Sequence, residues 1–165
     1  MSREAHHHRD ASTVACAVIT VSDTRTAETD RSGQRIQELL RLSGHRLTHY
    51  EILQDEPERI IAAIRAVPPP TEVIILNGGT GLARRDSTFE AVSRLLEKEI
   101  SGFGELFRLL SYEDIGAVAM LSRATAGVVG DRVVFSVPGS PAAVELAMTK
   151  LIVPALGHVV GLVRG

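Results

Sequence analysis

Short, continuous apolar runs alternate along this chain with segments of helical periodicity, and this alternation limits the folds available to it. Residues 15–21 read ACAVITV, and residues 72–76 read EVIIL. Both runs are short and rich in β-branched residues, and they lack the apolar–polar alternation of a strand with one wet face. Such runs are typical of strands that are buried on both faces of a parallel sheet.

Helical segments lie between the runs. Ile36, Leu39 and Leu40 recur at helical spacing, which predicts a helix from about Ser32 to Gly44. After a more exposed strand at 47–53, an isoleucine pattern predicts a second helix that the prolines at 68–70 must end.

The second half of the chain continues the pattern. It predicts a helical stripe to about residue 100, a short helix over 103–110, and helical segments over 140–151 and 152–163. A hairpin turn at Gly130-Asp131 joins 128–129 to 133–137. Together these elements predict one α/β domain over 14–165, with a mostly parallel sheet covered on both faces, and a disordered tail over 1–13.

Composition excludes several classes of function. The net charge of −2 and the absence of Trp argue against nucleic-acid binding. A single cysteine, Cys16, fits a reducing cytoplasm. The first ten residues lack the apolar core of a signal peptide, and we expect no stretch to reach the roughly 18 apolar residues of a membrane span. The His6–His8 triplet could hold a metal, but a frayed tail explains it better.

Three polar loops follow predicted strands and should meet at one edge of the sheet, where open α/β folds bind ligands. The loops cover 20–25 with 30–33, the motif at 77–92, and 137–141. In the third loop, Ser140 suits a helix N-cap and Pro141 the first helical position.

The second loop, in the motif NGGTGLARRDSTFEAV at 77–92, combines features of an anion site. Its glycines allow a nest of backbone N–H groups, and a capping box of Ser87 and Glu90 predicts a helix start at residue 87 or 88. Arg84 or Arg85 could add positive charge. A glycine-rich turn with a well-capped helix and exposed arginines remains the alternative.

Two aspartates favour a ligand site over a simple turn. Asp86 lies beside the predicted nest, where an acid is unfavourable unless it serves a metal or a proton transfer. Asp55 follows the second strand and could simply cap the next helix. If Asp55 faces Asp86, the two could share a Mg²⁺ ion bound to nucleotide phosphates.

In their order and spacing these motifs resemble the MoaB/MogA family of molybdenum cofactor biosynthesis proteins. The resemblance extends from about Val14 to Leu156 and rests on the words GGTG, RD-T-EA, GFGE-FR, LSR and PGSP, beginning at positions 78, 85, 102, 121 and 138. The stretch FRLLSYEDIG at 107–116 resembles the MoaB branch in particular. Asn77, Arg84 and Phe89 depart from the common pattern, which more often has Thr or Ser, Pro and Pro there.

The resemblance implies a three-layer α/β/α molybdopterin-binding fold and Mg²⁺- and ATP-dependent adenylylation of molybdopterin, with release of pyrophosphate. It implies that Asp86 and Asp55 are catalytic and hold the metal. It also implies a set of ligand-binding residues: Ser22, Asp23, Asn77, Gly78, Gly79, Thr80, Gly81, Arg85, Thr88, Ser122, Arg123, Pro138, Gly139 and Ser140.

Two further expectations come from the same resemblance. The protein should self-associate as a trimer or a hexamer, with the hexamer favoured, and could meet a molybdate-insertion enzyme. The alternative function is a module that binds molybdopterin or a precursor without catalysis.

Overall fold

The computed structural model describes residues 10–165, and a six-stranded sheet runs through its centre in the order β2-β1-β3-β6-β5-β4. The strands are β1 (Ala15–Val21), β2 (Arg46–Leu53), β3 (Val73–Asn77), β4 (Lys98–Glu99), β5 (Thr125–Val129) and β6 (Arg132–Val137). The helices are α1 (Arg31–Leu42), α2 (Pro57–Ala66), α3 (Thr88–Leu95), α4 (Ser101–Ile115), α5 (Pro141–Ala147) and α6 (Val153–Arg164). A 3₁₀ segment, Gly116–Leu121, follows α4, and a π-helical turn, Met148–Ile152, joins α5 to α6.

The sheet is mostly parallel, as the apolar runs predicted. Strand β1 pairs in parallel with β2 and β3, and β3 pairs in parallel with β6. Only the β4–β5 and β5–β6 pairs are antiparallel within residues 10–165, and the latter is the predicted hairpin. Every residue of β1 and β3 is buried, because both strands lie inside the sheet and under helices on both faces.

Two hydrophobic clusters separate the layers. Cys16 and Val18 of β1 face a cluster that takes in α1, α4, α5 and α6, whereas Ala17 and Ile19 face α2 and α3. Alternate side chains of one strand therefore pack into opposite layers, because the side chains of a strand repeat with a period of two residues. Full burial of a side chain such as Ile19 stabilises the fold by about 1.5–3 kcal/mol. The three-layer α/β/α arrangement is confirmed.

Two predicted helix boundaries were wrong. Helix α3 ends at Leu95 and not near residue 100, because the backbone N–H of Glu97 donates to Val128 O and starts the pairing of β4 with β5. Helix α4 spans 101–115 and is longer than the predicted 103–110.

The helix at 141–164 corrects the expectation that no stretch is long and apolar enough to cross a membrane. It runs for 24 residues, with a mean hydropathy of 1.8 in its most apolar window. Val144, Met148, Ile152 and Leu156 are buried against the sheet. A helix in the core of a protein can have the same length and hydropathy, so these two properties are weak evidence for a membrane span.

The predicted tail is described only from residue 10 onward. Ala11 N donates to Gly157 O at 3.0 Å, and the Asp10 carboxylate lies 2.8 Å from His158 Nδ1, so both residues contact α6. The His6–His8 triplet lies outside the described residues.

Candidate functional site

The three predicted loops meet because β1, β3 and β6 are neighbours and parallel. Gly78 lies at their junction with φ +105°, and a Cβ there would clash with the carbonyl oxygen of Val21. Its N–H donates to Val137 O at 3.0 Å, so this amide is already bonded within the protein. A Cβ added to Gly139 would lie 3.2 Å from Gly78 Cα. The ends of all three strands are therefore in van der Waals contact at one glycine.

Gly79 brings the loop against the start of α3. It has φ +68°, its carbonyl accepts from Thr88 N at 3.1 Å, and a Cβ there would clash with the Thr88 hydroxyl. That hydroxyl is fully buried and has no hydrogen-bond partner among residues 10–165. A buried, unpartnered hydroxyl at a helix start is a donor available to a ligand or a water molecule.

Asp55 holds the beginning of α3 and does not cap α2, which starts at Pro57 after Glu56. Its Oδ1 accepts from Ser87 N at 3.0 Å and from Ser87 Oγ at 2.6 Å. The predicted capping box is therefore wrong in its contacts. Ser87 is the N-cap residue, but its hydroxyl donates to Asp55, and Glu90 pairs with Arg123.

Partial burial raises the pKa of Asp55, the hydrogen bonds from Ser87 oppose that rise, and the charges of Asp86 and Asp23 add to it. The other Asp55 oxygen, Oδ2, would lie 2.7 Å from a Cβ on Gly79, so it borders the glycine loop. This carboxylate is thus fixed by one oxygen and turned toward the loop with the other.

Asp86 borders the same loop at Gly81. Its Oδ2 accepts from Ala83 N at 3.2 Å and would lie 2.7 Å from a Cβ on Gly81. The side chain is half-buried, so it keeps access to solvent and to a ligand.

The first loop joins this arrangement through Asp23. Its Oδ1 accepts from Asp55 N at 3.2 Å, and its Oδ2 lies 2.5 Å from Arg85 Nη2. Ser22 Oγ accepts from Thr24 N and Arg25 N, which closes a turn after β1. Asp23 and Arg85 are therefore together, as predicted, but they are paired with each other.

The third loop has the predicted helix start. Ser140 Oγ accepts from Ala143 N at 3.2 Å, and Pro141 is the first helical residue. Ser32 of α1 donates to Gly139 O at 2.7 Å and ties this loop to the first one. Half-buried Pro138 precedes them at the end of β6.

Beneath the loops lies a buried polar cluster that sequence reasoning missed. Asp30 is fully buried and accepts from Thr20 Oγ1 and Tyr50 OH, each at 2.6 Å, and from Gly33 N at 3.0 Å. Asn77 donates to Thr20 Oγ1 at 2.9 Å, so its side chain lies in this cluster with 1% exposure. One sequence feature could have revealed this cluster. Asp30 lies three residues before Gly33 at a predicted helix start, which is the position of an N-cap.

Ser122 and Arg123 reach the glycine loop from the start of β5, which lies at the same edge because antiparallel pairing places Thr125 beside Ser136 of β6. The backbone N–H of Arg123 donates to Thr80 O at 3.1 Å, and its guanidinium contacts the carbonyl oxygen of Gly81. Ser122 Oγ accepts from Ala124 N at 3.4 Å. Thr80 itself is buried. The residues predicted from the motifs thus gather at one edge, and their roles toward a ligand stay predictions.

Comparison with known proteins gives matches over nearly the whole chain. The family described as "Probable molybdopterin binding domain" matches residues 17–158. Molybdenum cofactor biosynthesis protein B of Bacillus cereus is 55% identical over 162 residues, which cover 96% of each chain.

Solved structures show the same fold. A crystal structure of molybdenum cofactor biosynthesis protein B has a TM-score of 0.90 at 55% identity and covers 92% of this chain and 96% of that one. The tungsten cofactor synthesizing protein MoaB of Pyrococcus furiosus has a TM-score of 0.83 at 38% identity and covers 94% and 99%. With its fold and motifs matched over nearly the whole length, this chain belongs to the MoaB/MogA family of molybdenum cofactor biosynthesis proteins.

Proposed function

We propose that this protein is a molybdopterin adenylyltransferase, which transfers AMP from ATP to molybdopterin and releases pyrophosphate. The observation that carries the proposal is the pair of carboxylates, Asp55 and Asp86, which border the glycine loop at Gly79 and at Gly81. A site that only bound an anionic pterin would gain nothing from two acids beside its anion nest, whereas a metal-assisted phosphoryl transfer requires them.

The donor set fits Mg²⁺. Within residues 10–165 no group of three or more His, Cys, Asp or Glu side chains could hold a metal ion. Mg²⁺ is commonly bound by only one or two carboxylates together with substrate phosphates and water. Asp55 Oδ2 and the Asp86 carboxylate would hold the ion, which would neutralise charge on the phosphates of ATP.

The protein's own groups would position the reactants. Adenylyl transfer needs an oxygen of molybdopterin in line with the α-phosphorus and the bond to the leaving pyrophosphate, so orientation and charge stabilisation supply most of the catalysis. The Gly79 turn, the start of α3 and the buried Thr88 hydroxyl form the part of the edge suited to phosphate oxygens. Ser140 at the start of α5 forms a second such part.

Incubation of the purified protein with molybdopterin, Mg²⁺ and ATP tests the proposal. We expect adenylylated molybdopterin and one pyrophosphate for each transfer, and no product when EDTA replaces Mg²⁺. A folded protein that binds molybdopterin but forms no adenylylated product would rule the proposal out.

That result would leave the second candidate, a non-catalytic module for molybdopterin or a precursor. The observation in its favour is that Asp55 Oδ1 is already occupied by two hydrogen bonds from Ser87. In that case Asp55 would serve only to anchor α3. Its replacement would then change the affinity for the pterin as much as it changes any other measured property of the protein.

Self-association, as a trimer or a hexamer, belongs to the proposal. Helix α4 and the following 3₁₀ segment expose apolar side chains that are at least half accessible: Leu106, Leu109, Tyr112, Ile115, Val118 and Met120. Exposed apolar side chains grouped on one helix and the segment after it favour burial against another chain. Light scattering should give three or six chains per particle.

The proposal also includes a cytoplasmic location for the protein and contact with a molybdate-insertion enzyme.

A further inference from the structure

Arg123 forms a cross-link between the start of β5 and the loop that carries Asp86. Its Nε and Nη2 donate to Gly81 O at 3.1 and 2.7 Å, and Nη2 also donates to Asp86 O at 3.2 Å. Nη1 pairs with the Glu90 carboxylate, and Nη2 lies 3.3 Å from Glu90 Oε2. All three guanidinium nitrogens are therefore engaged with protein oxygens on both sides of Asp86.

The arginine is itself held in place. Its guanidinium carbon lies 5.2 Å from the centre of the Phe89 ring, a distance suited to a cation–π contact. Arg108 of α4 donates to Ser122 O and Ala124 O, at 3.3 and 3.1 Å, and so fixes the peptide on either side of Arg123. The side chain is only 24% exposed.

On its helix side Asp86 is followed by Ser87, which is bonded to Asp55, but on its loop side it has few other anchors. Residues 82–85 are exposed, and the bond from Ala83 N to Asp86 lies within the loop. The Arg85–Asp23 pair connects two solvent-accessible side chains, a type of contact that contributes about 0–1 kcal/mol. The forked arginine that reaches two carbonyls and one carboxylate is thus the stronger attachment.

We infer that Arg123 is a positioning residue, which fixes Asp86 by clamping the Gly81 and Asp86 carbonyls, and not a direct ligand of substrate phosphate. The inference rests on the proposed function only for its effect on turnover. Its structural part, the order of residues 81–87, is independent of any reaction. Lysine could replace the charge of Arg123 but could not form the fork.

Hydrogen exchange of the ligand-free protein tests the structural part, with Arg123→Gln and Arg123→Lys compared with wild type. We expect amides of residues 81–87 to exchange about tenfold faster in both variants, while those of β1 and β3 do not change. Glu90→Gln alters only the exposed partner of the arginine and should give a smaller increase, and it serves if Arg123→Gln does not fold. Wild-type exchange of the loop in all three variants would overturn the inference.

Kinetics test the functional part. Arg123→Gln and Arg123→Lys should lower kcat for adenylylation about 10-fold or more and change KM for ATP less than about threefold. Arg35→Gln is the matched control, because Arg35 makes a fork to Glu145, at 2.7 and 3.0 Å, that joins α1 to α5 and does not touch the loop. It should leave loop exchange unchanged.

Three outcomes decide against Arg123 as a positioning residue. A rise in KM for ATP with an unchanged loop would make Arg123 a direct phosphate ligand. Full turnover in Arg123→Lys would show that charge alone suffices, and a loosened loop with unchanged turnover would show that the loop does not position Asp86. If wild type itself makes no product, the proposed function fails, and loop exchange alone then decides whether the clamp exists.

Discussion

The carboxyl edge of the sheet has two acidic regions that differ in how their carboxylates are satisfied. Under β1, Asp30 has no exposure and accepts hydrogen bonds from two hydroxyls and one backbone amide. Beside α3, Asp86 is half-buried and accepts a bond from Ala83 N. Both aspartates lie in loops that follow a parallel strand and precede a helix.

The difference shows which acid can act on a ligand. A fully buried carboxylate that accepts three hydrogen bonds from the protein stabilises the fold and is not accessible to a ligand. A partly exposed carboxylate with one bond from its own loop contributes little to stability and can still bind a metal. Asp55 is intermediate, because one oxygen anchors Ser87 and the other borders the glycine loop.

The largest expected effect is the loss of stability in Asp30→Ala. The change leaves the hydroxyls of Thr20 and Tyr50 and the amide of Gly33 without their acceptor, and it removes the N-cap of α1. We expect a decrease of about 4 kcal/mol in the free energy of unfolding, measured by urea denaturation.

Asp30→Asn provides the control for that measurement. Asparagine is an equally good N-cap, so it should recover part of the loss while its amide mismatches the two hydroxyl donors. If Asp30→Ala were as stable as wild type, Asp30 would not stabilise the fold through the buried cluster.

The next effect is expected at Asp86, on turnover and not on stability. Asp86→Asn should lower the rate of adenylylation about 100-fold, because an amide cannot supply the negative charge that holds Mg²⁺, while unfolding changes by less than about 0.5 kcal/mol. Asp131→Asn, in the exposed turn between β5 and β6, is the matched control and should change neither quantity. Equal losses of turnover and of molybdopterin affinity in Asp86→Asn would contradict a metal-positioning role.

Local pattern was sufficient to predict the layers and the edge of the sheet at which the three loops meet. The β-branched runs in β1 and β3 predicted strands buried on both faces, and loops after parallel strands must share an edge. Helix-start chemistry at Ser140 was also readable, since its N-cap bond involves residues only three apart.

Contacts between distant segments could not be predicted in the same way. The bond from Tyr50 to Asp30 depends on how β2 lies beside β1, and no spacing within either segment reveals it. The capping box failed for the same reason, because Asp55, 32 residues away, takes the Ser87 hydroxyl. Strand β4 has only two residues, too few to show a periodicity.

The smallest effect concerns Tyr50, the half-buried donor of the buried cluster. Tyr50→Phe removes one hydrogen bond to Asp30 and leaves its bonds from Thr20 and Gly33, so we expect a loss of about 1 kcal/mol in the free energy of unfolding at neutral pH. A loss as large as that of Asp30→Ala would mean that the phenol, and not the carboxylate, organises the cluster.

The contribution of Tyr50 to the stability of the fold should depend on pH. Burial raises the pKa of Tyr50 above its ordinary value of 10.0, and its hydrogen bond to Asp30 and the charges of Asp30 and Glu28 raise it further. Because folding favours the protonated phenol, this contribution to stability is complete below about pH 10 and decreases as the pH rises above the pKa of the unfolded chain. The chain has two tyrosines and no tryptophan, so tyrosinate absorbance in a Tyr112→Phe background reports Tyr50 alone. Ionisation of Tyr50 at or below pH 10 in the folded protein would show that Tyr50 and Asp30 do not form the buried, hydrogen-bonded pair that distinguishes Asp30 from Asp86.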